Sequence, residues 1–342
     1  MKAIIINCAL ICMLASCQKV LIGSVMTNRP ENNFESMWKG YDELYGLFPQ
    51  KNINWDSLHD ALQPRINNGS TPQQLYSVLC EMIKPLNDIH VFLQPTSNDL
   101  PRFESSEFYR THHVQQDFSI EVIKKNYLPS LVTIDDHFHY GILPGNIGYL
   151  HLGTFGMPVD FYKMQMEKVM SALKDTKAII VDIRDNGGGD DISSRFVAGR
   201  FVTERKRYMT TKKKNGPSHN DFTKPEEWYA DKQGSFQYIK PVILLTSRWT
   251  ASAAETFTWA MNTQSQIMQI GDTTSGGFSD VIARELPNGW LYFISVGDFR
   301  NAQGKSDEGK GIAPAIQIGN TKEDIDNGKD KVLELAIERL NL

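Results

Sequence analysis

The chain has 342 residues, 41% hydrophobic and 22% charged, with a formal net charge of −4. That is ordinary globular composition, enough for one large domain or two smaller ones, and it offers no basic field for a nucleic-acid partner. The basic run Lys212, Lys213, Lys214 is short and fits a solvated strand end or loop.

The first segment reads as a secretory signal, not as part of the fold. Lys2 supplies a positive start, and residues 3–13 form an apolar stretch too short to span a bilayer. Leu14-Ala15-Ser16-Cys17 follows and resembles the bacterial lipobox. That likeness implies removal of residues 1–16, lipidation of Cys17, and anchoring in the bacterial cell envelope, at the periplasmic face or the outer membrane. A signal cut elsewhere is the alternative. Gln18, where an Asp would favour retention at the inner membrane, points to the outer one by analogy with enteric lipoproteins. Cys8 and Cys12 leave with the signal, so Cys80 remains as the lone thiol and no intramolecular disulfide is expected.

Residues 17–30 read as a tether and 31–93 as a helical module. Phe34, Met37, Trp38, Tyr41, Leu44 and Tyr45 repeat at helical spacing. Trp55, Leu58, Leu62 and Ile66 form a second stripe, capped by Asn54, and Thr71-Pro72 opens a third helix. Cys80 lies on that third stripe and reads as core. A strand over 90–93 leaves the module. Residues 94–137 are a connecting segment without clear periodicity. From residue 138 the pattern alternates, with strands over 147–152, 178–183, 242–245, 267–270, 290–296 and 315–318. Helices are predicted over 159–173, 192–202 and 251–261, with one C-terminal helix from Thr321 to near Leu340. The class is α/β or α+β: helices layered on a sheet.

Two strand ends carry chemistry. Gly187, Gly188 and Gly189 follow the buried run Ala178–Ile183, where exposed backbone N–H groups suit a phosphate or an oxyanion. No Lys-Ser/Thr pair follows, and Asp190 and Asp191 would repel a phosphate, which favours the oxyanion. The second is Ser252, between Ala251 and Ala253 at a helix start: an ordinary N-cap, or a nucleophile. Of eight histidines, His90 is the best-placed base. His137 and His139 beside Asp135 and Asp136 mimic a metal cluster, but outward-facing strand residues explain them and no metal is expected. His59, His151 and His219 have no obvious companions. Asp182 and Arg184 read as buried supports of the glycine turn. Asp88 reads as either a support for His90 or a turn residue.

The segments LNDIHVFL, VDIRDNGGG, TASAAETF, IGDTTSGG and EGKGIAPAIQI stand in the order found in S41 peptidases, the C-terminal processing protease and tricorn-core group. The resemblance covers residues 31–340. It implies a helical N-terminal module on a crotonase-like (ClpP-like) α/β superhelical core spanning 138–342. Processing proteases of this group use a Ser-Lys dyad, but Gly277 stands where the lysine would be. The chain is therefore more similar to the tricorn-like branch. By that likeness Ser252 is the nucleophile, His90 the base and Glu308 the group that orients it. Gly187, Gly188 and Ala253 then supply the oxyanion hole. One departure is Ile89, where tricorn has a second serine. No PDZ domain is evident between the module and the core. The resemblance implies an endopeptidase or C-terminal-processing-type peptidase acting on peptides or unfolded protein, with no cofactor. A non-catalytic lipoprotein that binds peptides or an apolar ligand is the competing reading.

Overall fold

In the computed structural model, residues 26–96 and 99–341 are described; the signal and Cys17 lie outside them. The central layer is a seven-stranded sheet. Its order is Ile316–Gln317, Ile267–Gly271, Val242–Thr246, Ala178–Asp182, Ile147–Leu152, Phe138–Leu143, Val132–Asp135. The first five strands run parallel and the last two antiparallel. Every residue of Ala178–Asp182 is buried, as a parallel strand covered on both faces requires. Ile179 and Val181 face a cluster with Tyr162, Met166, Val197 and Phe257, from the helices Val159–Leu173, Asp191–Ala198 and Ala253–Asn262. Ile180 faces the other side, with Val332, Leu333 and Ala336 of the helix Lys331–Asn341. This is the mixed α/β class that the resemblance implied.

The N-terminal helices Pro30–Leu44, Trp55–Leu62 and Pro72–Ile83 form where the stripes placed them. Asn54 Oδ1 accepts the Ser57 N–H at 3.0 Å, and Thr71 forms a reciprocal cap with Gln74. Cys80 is buried among them. These helices do not close a core alone. Their apolar faces pack on Leu286, Trp290, Tyr292 and Ile294. Tyr292 and Ile294 belong to a second sheet, ordered Val281–Glu285, Leu291–Ser295, Phe92–Gln94, Phe103–Glu104, and Leu286 and Trp290 to the hairpin turn between its first two strands. Tyr41 Oη donates to Phe293 O at 2.9 Å across the same seam.

The C-terminal helix predicted as continuous is two, Lys322–Asp326 and Lys331–Asn341, parted at Gly328 with φ of 73°. The basic run closes the strand Lys206–Lys213 of a three-stranded sheet, with Lys212 Nζ 2.9 Å from Asp298 and Lys213 Nζ 2.8 Å from Asp280. His139 does not face outward. It is buried and shares a 3.0 Å hydrogen bond with His151, whose Nε2 lies 2.7 Å from Asp185 Oδ1. Nor do His59 and His219 lack companions: Glu35 is 3.0 Å from the first and Asp42 2.8 Å from the second.

Candidate active site

Ser252 stands at the N-terminus of Ala253–Asn262 with φ of 57° and ψ of −125°. A non-glycine residue in that region is strained by about 1–3 kcal/mol and is held there only by its surroundings. The surroundings are visible. Ser252 N–H donates to Gly277 O at 3.0 Å and to Glu255 Oε2 at 3.1 Å. Glu255 thereby forms a capping box with Ser252, and the Glu255 N–H donates to the Ser252 carbonyl at 2.7 Å.

Glu255 fixes the facing segment. Its carboxylate accepts Thr274 Oγ1 at 2.5 Å, Gly276 N–H at 2.7 Å and Gly277 N–H at 2.8 Å. Burial pushes this carboxyl up to about 7, against those hydrogen bonds. The residue went unremarked in the sequence, although Ser252-x-x-Glu255 is a capping-box spacing.

The glycine turn packs against the same point. A Cβ on Gly188 (φ 103°) would fall 2.7 Å from Ser252 Cβ and 2.9 Å from Ala253 N, so only glycine permits the approach. Gly188 N–H is taken by Asn186 Oδ1 at 2.8 Å, and Asn186 Nδ2 donates to Leu152 O at 2.8 Å. With Gly188 so engaged, Gly187 and Ala253 are the backbone donors left for an oxyanion. Arg184, buried between Asp182 (Nε–Oδ1 2.9 Å) and Asp330 (Nη1–Oδ1 2.9 Å), ties the turn to the C-terminal helix. Asp190 caps the helix after the turn, accepting Ile192 N–H at 2.7 Å and Ser193 N–H at 3.0 Å.

His90 and Glu308 reach the site through Gly277-Phe278. A Cβ on Gly277 would lie 2.2 Å from Ile89 Cγ1 and 3.6 Å from His90 Cε1. Ile89 thus fills the space that a longer residue at 277 would need. Glu308 Oε2 accepts the Phe278 N–H at 2.9 Å. Gly309 N–H donates to Gly276 O at 2.7 Å, which docks the Glu308 loop on this segment. Asp88 is the local strut: it accepts His90 N–H at 2.9 Å, Tyr45 Oη at 3.0 Å and Ser295 Oγ at 2.8 Å.

No hydrogen bond joins Ser252 Oγ, His90 and Glu308 to one another in this structure. His90 Nδ1 and Glu308 Oε1 are each buried without a partner. Burial lowers the His90 imidazole below its ordinary value, with Asp88 and Asp280 pulling the other way. Burial, joined by the Asp88 charge, holds Glu308 well above the usual carboxylate range. The three residues converge on one segment from three parts of the chain without a hydrogen bond among them. Such contacts often tighten only with substrate bound.

Known proteins resemble this chain in sequence and in fold. The sequence profile described as peptidase family S41 matches residues 146–318, and that of the tricorn protease C1 domain matches residues 26–84. The carboxy-terminal processing protease CtpA of Bacillus subtilis is 30% identical over 174 residues, which cover 50% of this chain and 35% of that protein. The chain spans about a third or less of the length of the curated relatives it matches. A candidate peptidase of Parabacteroides merdae has a similar crystal structure, with a TM-score of 0.80 and 30% identity over 92% of this chain and 97% of that one. Mature CPAF complexed with lactacystin shares the fold at a TM-score of 0.66 and 11% identity, over 91% and 99% of the two chains.

Proposed function

This chain belongs to peptidase family S41, and from that premise we propose that it hydrolyses peptide bonds through an acyl-enzyme formed on Ser252. The observation that carries the reading is the strained Ser252 at a helix N-terminus, with a glycine turn against its Cβ. Oγ attacks the scissile carbonyl while His90 takes its proton and later returns it to the leaving amine. The developing oxyanion is met by the N–H groups of Ala253 and Gly187, at the positive end of the helix. Glu308 orients the imidazole once the pair closes.

The substrate is a peptide or an unfolded protein segment. Cleavage before Cys17 and lipidation of that cysteine would hold the enzyme on the cell envelope. The test is hydrolysis of a quenched fluorescent peptide library by the wild type and by Ser252→Ala and His90→Ala. Each variant is expected to lose at least about 10³-fold in kcat/KM. Undiminished turnover by Ser252→Ala would end the serine mechanism. Saturable peptide binding by a wild type that never turns over would favour the non-catalytic reading.

A further inference from the structure

We propose that Arg248 is the anion-binding residue of the substrate cleft and holds a carboxylate of the bound peptide beside the scissile bond; this rests on the serine-peptidase reading above. The loop leading to Ser252 is rigid. Ser247 N–H donates to Thr250 Oγ1 at 3.0 Å, Trp249 N–H to Ser247 Oγ at 3.0 Å, and Thr250 Oγ1 to Ile183 O at 2.9 Å. From this frame Arg248 reaches across to the segment facing the nucleophile, where its Nη1 donates to Thr274 O at 2.8 Å. That bond uses one of five guanidinium N–H donors.

The two fully buried arginines are matched by acids, Arg184 by Asp182 and Asp330 and Arg200 by Glu167; of the half-buried ones, Arg110 donates to Glu104 O and Arg195 lies over the Trp228 ring, each without an ion pair among the described residues. Arg248 is half-buried, and among the described residues it forms no ion pair. Its guanidinium lies 5.2 Å from the centre of the Phe108 ring, which holds one face and leaves the edge donors to the cleft. A fixed, partly desolvated guanidinium without a counter-charge is a site for a carboxylate, taken in bidentate fashion.

The space in front of it borders residues adjacent in the chain to the candidate site. Arg248 lines a cleft of about 340 Å³ together with Ile89, Ser275 and Gly276. Ile89 precedes His90, and Gly276 precedes Gly277, whose carbonyl holds Ser252 N–H. Arg248 is the one permanent cation among the residues lining this cleft, and Glu107 the one acid. An adjoining cleft of about 540 Å³ also reaches Arg248 and carries Asp117, Asp272 and Lys322. Asp272 Oδ1 there already accepts Thr273 N–H at 2.7 Å, and Lys322 pairs with Asp326 at 2.5 Å. A peptide that presents its carbonyl to Ser252 and continues into this cleft would meet the guanidinium. The carboxylate comes from a free C-terminus or from an acidic side chain; the chemistry recognised is the same.

The test is equilibrium binding to the Ser252→Ala protein, read by fluorescence anisotropy of labelled alanine-leucine heptapeptides. One has a free C-terminus, one is amidated, and one is amidated with a single Glu. At least one carboxylate-bearing peptide is expected to bind about tenfold to a hundredfold more tightly than the neutral amide. Arg248→Gln in the same background removes that difference, and Arg248→Lys retains part of it. Which peptide gains identifies the source of the carboxylate. Equal affinities for all three peptides, or a preference that persists in Arg248→Gln, would overturn the proposal. Fluorophosphonate labelling of the wild type reports the mechanism separately: a carboxylate preference without labelling rejects the serine reading and supports the Arg248 site.

Discussion

Ser252 pays a conformational cost for its position, and the cost is measurable. At φ of 57° and ψ of −125° a glycine would be unstrained. Ser252→Gly is therefore expected to be more stable than Ser252→Ala by about 1 kcal/mol, the relieved strain less the added unfolded-state entropy. Urea melts of the two inactive variants check this; an Ala variant as stable as the Gly variant would show that the backbone bears no strain. His90 makes the second residue-scale prediction. Burial lowers its pKa, so it takes up its proton only at a pH below the ordinary value of about 6.5. A base must be neutral, so kcat/KM should hold steady down to that pH and fall only beneath it. An acid limb above pH 6.5 would contradict the assignment. The same shift has a stability consequence: the unfolded chain binds this proton more readily, so the fold weakens as pH falls below about 6.5. His139, lowered chiefly by burial and then by His151, contributes with the same sign.

At the scale of elements, the site is a meeting of loops on the segment 274–278. Gly277 and Ile89 are complementary: the missing side chain of one is the space filled by the other. Gly277→Ala should cost about 1–3 kcal/mol by overpacking and lower activity through displaced His90. Adding Ile89→Ala should recover part of both losses, because the clash is between these two residues. Strictly additive effects in thermal melts and peptide assays would mean that the two residues do not meet. The pairing also gives Ile89 a physical reason. The sequence showed it only as a departure from tricorn, because a packing partner 188 positions away leaves no local mark. Elements with a strong period were legible: 147–152 and 159–173 match the strand and helix found. Gly328 broke the predicted C-terminal helix because the apolar stripe on either side of it hid a left-handed turn. Glu255 was overlooked because a buried carboxylate that holds the segment 274–277 looks, in sequence, like any acid in a first helical turn.

For the molecule as a whole, residues 281–295 cross from the catalytic layer to complete the core of the N-terminal helices. The helical module was legible from its stripes, but not its dependence on a distant sheet, because apolar spacing says which face is buried and not against what. The proposed envelope anchor at Cys17 lies outside the described residues. Cys17→Ser is expected to leave the protein in the soluble fraction of lysed cells and to abolish palmitate incorporation, while the wild type sediments with membranes. An unchanged distribution would reject lipidation at that residue.

The central claim is that Ser252 is an activated nucleophile. Reaction of the native protein with a fluorophosphonate, followed by mass mapping of its peptides, tests this most directly. The account predicts a single adduct on Ser252, lost in Ser252→Ala and slowed in His90→Ala. An adduct on another residue, or peptide hydrolysis that persists with Ser252 unmodified and excess reagent present, would contradict it.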